Sequence, residues 1–280
     1  MRVLITGARG QLGRALQEVL TDHELIPLGQ EEGDITRPSI VERIRAFQPD
    51  VIVNAAAWTQ VDAAESQPDA AFAVNAWGAQ NVALAARAAG ADLVHISTNE
   101  VFPGDPGRFY REFDPPRPGN TYARSKWAGE QMVRSLWPRH YIVRTAWVFF
   151  HGGHHFITKI IQSADRHGRL RVVADEFGNP TYALDLAHAI ARLIRTRHYG
   201  VYHFTNSGFC SRYEYAREIL RLSGRGHVPV VPIQHHQWPR PATPPRHAVL
   251  LNTLGPYLGI ELPPWQDALR RYFRRENTQE

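Results

Sequence analysis

The chain has 280 residues, 43% of them hydrophobic and 21% charged, the balance of a globular protein with a substantial core. Its net charge of +5 is spread over scattered arginines rather than one basic block, which argues against a nucleic-acid partner and suits an anionic small molecule. No apolar run approaches the roughly 18 residues of a membrane span, Val3-Leu4-Ile5 is too short for a signal peptide, and the lone Cys210 excludes an internal disulfide, so a cytoplasmic protein without membrane contact is expected.

Arg2 to Thr6 reads as a buried strand. Gly7-Ala8-Arg9-Gly10-Gln11-Leu12-Gly13 follows, and helical periodicity continues from Arg14 to Leu20. Glycines at 7, 10 and 13 between a strand and a helix let the backbone approach a pyrophosphate, with the helix N-terminus supplying free N–H groups. The spacing is G-x-x-G-x-x-G rather than the commoner G-x-G-x-x-G. A second strand, Glu24 to Leu28, ends where an adenosine ribose belongs. Glu31 and Glu32 there could accept from both ribose hydroxyls, while Arg9 or Arg37 could bind a 2′-phosphate. Both NADPH and NADH are therefore open, with a slight lean to NADPH. Asp34 or Thr36 is expected to cap a helix from Pro38 to Phe47.

Val51 to Asn54 is a third strand, and the small side chains of Ala55, Ala56 and Ala57 leave room for a cofactor at its end. An alanine-rich helix is expected over Pro68 to Ala89, then a fourth strand from Asp92 to Ser97 that leads into Thr98-Asn99-Glu100. Strand and helix thus alternate four times, the pattern of a doubly wound parallel sheet with ligands beyond the carboxyl ends of its strands. Asn120 then stands as the cap of a helix carrying Tyr122-Ala123-Arg124-Ser125-Lys126.

Tyr122 and Lys126 are four apart and share one helix face. An ammonium one turn from a phenol stabilises the phenolate and brings proton transfer toward a useful pH. Of the 32 Lys+Arg residues only Lys126 and Lys159 are lysines. Arginine serves wherever a surface cation suffices, so a lysine here marks a need for a compact charge.

Tyr141 to Thr145 is a fifth strand, running into Ala146-Trp147-Val148. Residues 1–150 then form the dinucleotide-binding domain, and 151–280 a smaller lobe, mainly substrate-binding and partly interleaved with the sheet. Its expected elements are helices 156–166, 183–195, 212–222 and 265–274, with strands 170–174, 201–205 and 228–231. His151-Gly152-Gly153-His154-His155 has metal-binding residue types, but neighbouring histidines point apart on regular structure, and no metal site is assigned.

The glycine loop, Ser97-Thr98 at a strand end, and Tyr122 with Lys126 together resemble the extended short-chain dehydrogenase/reductase superfamily, whose fold is of the Rossmann type. Within it the chain is similar to the dTDP-4-dehydrorhamnose reductase family. The matching stretches are GARGQLGRALQ, GDIT, PDVIVNAAAWTQVDAAES, VNAWGAQNVA, HISTNEVFPG, YARSKWAGE, VRTAWVF, FGNPT and RPATPPRHAVL, which cover nearly the whole chain. The resemblance implies NAD(P)H-dependent reduction of the C4 keto group of a nucleotide-linked 4-keto-6-deoxy sugar. It implies that Gly10, Gln11 and Leu12 hold the pyrophosphate, that Asp34 and Ile35 flank the adenine, and that Ala55 to Ala57 line the middle of the cofactor. Tyr122 would be the proton donor, Lys126 the ligand of the nicotinamide ribose, and Thr98 a hydrogen-bond partner of the substrate carbonyl. Trp147 would pack on the sugar or cofactor.

The family pattern S-T-D-Y-V-F reads Ser97-Thr98-Asn99-Glu100-Val101-Phe102 here, which places Asn99 and Glu100 at the sugar and leaves its identity open. Magnesium is not expected, because the first-helix position that is acidic in some relatives is Ala15. Two other readings are a dehydratase or epimerase on the same scaffold, and a non-catalytic subunit resembling the regulatory subunit of methionine adenosyltransferase. The nucleotide and the oligomeric state, a homodimer among the alternatives, are not specified by the sequence.

Overall fold

The computed structural model describes residues 1–153 and 155–279, with side chains as far as Glu276. Six strands form one parallel sheet: β1 (Arg2–Thr6), β2 (Glu24–Leu28), β3 (Val51–Asn54), β4 (Asp92–Thr98), β5 (His140–Thr145) and β6 (Gly200–His203), in the order β6-β5-β4-β3-β1-β2. The chain leaves β1 toward β2 on one side and returns to β3 on the other. A crevice therefore opens at the carboxyl ends of β1 and β3, the place where doubly wound sheets bind ligands.

Alternation along the strands divides the core between two faces. Val3, Ile5, Val51, Val53, Val94, Tyr141 and Val143 point to one face. Leu4, Ile52, Leu93 and Ile142 point to the other. On the first face lie α1 (Gln11–Val19), through Leu12, Ala15 and Leu16, and residues 183–193. The second is covered by α2 (Ile40–Ala46), which follows β2, and by a helical stretch after β3.

That stretch departs from the sequence reading. A short helix, α3 (Val61–Ser66), precedes it without a side-chain cap, so nothing in the sequence announced it. The expected helix from Pro68 to Ala89 is α4 (Pro68–Phe72), a π-helical segment at Ala73–Gly78, and α5 (Ala79–Ala89). The widened segment lies against α6 (Thr121–Leu136), where a Cβ on Gly129 would stand 2.1 Å from the Asn75 carbonyl oxygen. The Asn75 side chain is fully used, on the Trp58 main chain and Ser125. The expected cap of α2 is also corrected. Asp34 accepts from the Thr36 N–H and hydroxyl instead, and the helix begins at Ile40 after Ser39, which makes no capping bond.

Beyond β5 the chain builds a lobe from α7 (Phe156–His167), α8 (Ala183–Leu193), α9 (Arg212–Leu222), α10 (Trp265–Gln279) and three two-stranded pairs, while a fourth pair joins Val249–Leu250 to Phe109–Tyr110 from before β5. Strand Leu170–Val173 pairs with Val230–Ile233, and Phe177–Gly178 with Cys210–Ser211. This half also supplies β6 and α8 to the main sheet. His151 and His155 are engaged internally, His151 with Tyr182 and Glu276 and His155 with the Phe150 carbonyl, while His154 lies outside the described residues. No helix among the described residues is long and apolar enough to cross a membrane.

The contact at Gly129 sets a test. A methyl group there must push α6 off the π-helical segment, because the obstruction is backbone. Gly129→Ala should cost about 2–3 kcal/mol in urea denaturation. Gly119→Ala, where a Cβ meets nothing within 4 Å, should stay within about 0.5 kcal/mol of wild type.

Candidate active site

The turn after β1 is built around close approaches. Gly7 has φ 67°, and a Cβ on it would lie 2.6 Å from the Ala56 nitrogen. A Cβ on Gly13 would lie 2.3 Å from the Gly7 carbonyl oxygen. Gly10 precedes α1 in extended conformation with no side-chain cap, leaving the first amides of Gln11, Leu12 and Gly13 available to an anion. The Gln11 Oε1 is buried with no hydrogen-bond partner among the described residues. A cradle that any Cβ would fill and an uncapped helix start fit a dinucleotide pyrophosphate.

Ala55, Ala56 and Ala57 continue from β3 beside this turn and are partly exposed, whereas Ile35 is buried against Gly78 and its carbonyl accepts from Asn81 at 2.8 Å. The hydrogen bond from Thr36 holds Asp34 below the usual carboxylate range, and Arg37 adds to this. A cleft of about 640 Å³ opens here, lined by Arg9, Glu31, Glu32, Asp34, Arg37 and Arg43 among others. The sequence set Arg9 against Glu31 and Glu32 as rival signals. In the structure they are partners: Arg9 forms ion pairs with both carboxylates, Glu31 at 3.3 Å. Arg43 was missed, since only the fold of α2 brings it to the cleft.

The second half of the site lies where α6 meets the end of β4. Asn120 caps α6, its Oδ1 accepting from the Ala123 N–H at 2.8 Å. Tyr122 and Lys126 then face the strand, only 9% and 2% exposed. Thr98 stands beside the Tyr122 side chain, near enough to act on its phenol. Burial pushes the phenol well above its ordinary range, the Glu100 carboxylate adds to the rise, and Thr98 opposes it. Lys126 Nζ donates to the Ile96 carbonyl at 2.7 Å. Burial brings its ammonium down to about 8, against an opposing pull from Glu130.

Asn99 and Glu100 are placed differently from each other. Asn99 is buried, its amide donating to the Ala248 carbonyl at 3.0 Å and accepting from Thr98 at 3.4 Å. It braces the segment that crosses the site. Glu100 accepts from Asn120 Nδ2 at 2.8 Å, so one asparagine both caps the helix of Tyr122 and holds the nearby carboxyl. Burial raises the Glu100 carboxyl, while Asn120, Arg212 and Arg240 oppose the rise.

Trp147 completes the wall in a backbone conformation rare for a large side chain, φ 44°. Gly178 makes room for it: a Cβ there would lie 2.6 Å from the indole. The Arg212 guanidinium sits 3.6 Å from the centre of the Trp147 ring and 4.0 Å from Glu176. Arg212 and Glu176 were not singled out in the sequence as site residues. Their only signal was the place of Glu176 next to the FGNPT stretch.

Residues 1–278 match the protein family described as RmlD substrate binding domain. The dTDP-4-dehydrorhamnose reductase of Mycobacterium tuberculosis (strain H37Rv) is 41% identical over 280 residues, spanning 96% of this chain and 91% of that protein. The chain belongs to the dTDP-4-dehydrorhamnose reductase family. Two solved reductases of that name superpose closely. The protein from Clostridium acetobutylicum has a TM-score of 0.96 at 39% identity, over 99% of this chain and 100% of that one. The protein from Bacillus anthracis, solved in complex with NADP, has a TM-score of 0.94 at 39% identity, over 98% and 99%. Membership of the reductase family makes the chain an NAD(P)H-dependent oxidoreductase with a nucleotide-sugar substrate.

Glu100 offers a test of the electrostatics. Its raised carboxyl means that the folded chain keeps a proton that the unfolded chain has released. The stability it contributes is therefore complete below the ordinary glutamate range and is lost as pH rises through the folded value. Glu100→Gln cannot ionise, so in urea denaturation it should gain on wild type as pH rises above the ordinary glutamate range. A margin that moves the other way would mean that Arg212 and Arg240 outweigh burial.

Proposed function

We propose that this protein reduces the C4 keto group of dTDP-4-dehydro-L-rhamnose to give dTDP-L-rhamnose, with NADPH or NADH. The observation that carries the reading is the meeting of the Thr98 and Tyr122 side chains at the end of β4, with Lys126 buried one helical turn away. Bound reduced nicotinamide supplies the hydride. The protein's part is to receive the charge that develops on the carbonyl oxygen. Tyr122 gives its phenolic proton to that oxygen, and Thr98 donates a hydrogen bond to it. A phenol whose own anion is disfavoured by burial stays protonated until the alkoxide forms, so transfer accompanies reduction rather than preceding it.

The pyrophosphate goes to Gly7, Gly10, Gln11, Leu12 and Gly13, the adenosine end to Asp34 and Ile35, and the middle of the cofactor to Ala55, Ala56 and Ala57. Lys126 serves the nicotinamide ribose. Glu100 and Trp147 form the sugar side, with Asn99 as the brace behind them, and the lobe after residue 150 closes over the substrate. An elimination would need both an acid and a base. Position 99 is an amide, and Glu100 alone cannot fill both roles, which favours simple reduction. The buried, single Cys210 suits a reducing cytoplasm.

The cleft at the ribose end carries Arg9, Arg37 and Arg43 against Glu31, Glu32 and Asp34. A 2′-phosphate must draw Arg9 away from its two carboxylates, whereas a free ribose can use them. We expect both cofactors to be accepted with NADPH modestly ahead. A kcat/KM ratio beyond about a thousandfold either way, more than ~4 kcal/mol, would contradict this balance.

Incubating the protein with NADPH and a panel of nucleotide-linked keto sugars, with mass spectrometry of the products, tests the reaction itself. Cofactor consumption with a product two hydrogens heavier is expected, and dehydration or epimerisation without net consumption would replace the reading. Lys126→Arg should keep the fold but lose at least about tenfold in turnover, ~1.4 kcal/mol. The broad guanidinium cannot take the place of an ammonium seated on the Ile96 carbonyl. Near-wild-type turnover would remove Lys126 from the mechanism.

A further inference from the structure

Tyr122 and Lys126 are followed one turn later by Glu130, and the three side chains lie along one face of α6, at 9%, 2% and 0% exposure. They meet three successive residues at the end of β4. Lys126 donates to the Ile96 carbonyl, Ser97 Oγ donates to Glu130 Oε1 at 2.6 Å, and Thr98 reaches Tyr122. Arg144, paired with Ser97 in the neighbouring strand, grips Glu130 from the other side. Its Nε donates to Oε1 at 2.9 Å and its Nη2 to Oε2 at 2.8 Å. The remaining nitrogen, Nη1, donates to the Glu112 carbonyl at 3.3 Å and to His203 Nε2 at 3.4 Å.

A fully buried ion pair is an expensive way to join a helix to a strand, since a hydrophobic pair of similar volume serves stability as well or better. Its chemistry must be sought in what it faces. The reduction proposed above needs Lys126 charged, and its burial at 2% exposure strips the ammonium of the solvent that would keep it so. We propose that Glu130 is a positioning residue: clamped by Arg144 and Ser97, it holds Lys126 as a buried ammonium seated on the end of β4.

The other groups around Lys126 do not supply this. Tyr122, on the same face, stays a neutral phenol. His95 on β4 is held neutral by burial and by Lys126 itself, with Asn54 on its Nδ1 at 3.2 Å. Behind Glu130, Arg144 and Arg134 are cations, and burial brings His203 down to about 3. Glu130 is the anion that acts on Lys126, and it opposes the burial that favours the neutral amine.

The chain has two lysines, Lys126 and Lys159, so lysine labelled with ¹³C at Cε gives two NMR signals, assigned with Lys159→Arg. Titration of wild type and Glu130→Gln reads Lys126 directly, without turnover. The glutamine keeps shape and the Ser97 contact but removes the charge. Its Lys126 midpoint should fall by at least about one pH unit, and the alkaline limb of the reductase profile should move the same way. Loss of turnover should be at least about fivefold at pH 8 and no more than about threefold at pH 6. A folded Glu130→Gln protein with an unmoved midpoint overturns the proposal. If that variant does not fold, Glu130→Gln/Arg144→Met removes the orphaned guanidinium. It should fold with the same downward shift, and an unmoved midpoint or a failure to fold makes the pair purely structural and overturns the proposal as well. Wild-type protein inactive on every keto sugar would refute the reduction while leaving the Lys126 titration readable.

Discussion

Holding a lysine ammonium in a buried position is the constraint that organises the centre of this molecule. The desolvation penalty for such a charge is several kcal/mol even after relaxation. The chain meets it with a backbone carbonyl on one side and a clamped carboxylate one turn along the helix. Both partners require α6 to lie hard against the end of β4. That in turn requires glycine at 129 and a widened helical segment at Ala73–Gly78 to receive it. Close backbone packing and charge placement are thus one problem here.

The same economy governs the rest of the sheet's carboxyl edge. Thr6 on β1 donates to Asn54 on β3 at 2.7 Å, and Asn54 meets His95 on β4 at 3.2 Å. Three neighbouring strand ends are tied by side chains that are fully or nearly fully buried. The floor beneath the crevice is therefore stiff, while the walls above it are made of longer side chains whose charges balance in pairs: Arg9 with Glu31 and Glu32, Arg212 with Glu176, Arg240 with Asp62. A rigid floor fixes the base of the crevice, and paired walls can exchange partners when an anionic ligand enters.

What could be read in the sequence follows the range of the interactions that encode it. The glycine turn, the Asn120 cap and the Tyr122–Lys126 face are local, spaced by helix and turn geometry, and they were legible as such. The central strands β1 and β3 were also legible, because Val3-Leu4-Ile5 and Val51-Ile52-Val53 are unbroken buried apolar runs. Arg144 looked like any strand residue, and only the register beside Ser97 brings it to Glu130. Arg212 on Trp147, and Asn120 on Glu100, are likewise pairings across long stretches of chain. The split of the helix after Pro68 was hidden for the same reason. An alanine-rich run favours continuous helix by propensity, and it is the approach of α6 that overrides it.

The position of β6 has a consequence for how the protein is made. Strand β5 leaves synthesis with one side paired to β4 and the other bare, and its partner is encoded some 55 residues later, after the whole of α7 and α8. Until residue 203 has emerged from the ribosome, the nascent sheet presents an unpaired strand edge, the surface most open to mispairing with a neighbouring chain. The half that carries the glycine turn cannot finish folding ahead of the half that follows it. Between β5 and β6 the chain can complete only α7, α8 and the two-residue ladder of Val148–Phe149 with Thr181–Tyr182 before that last strand is delivered.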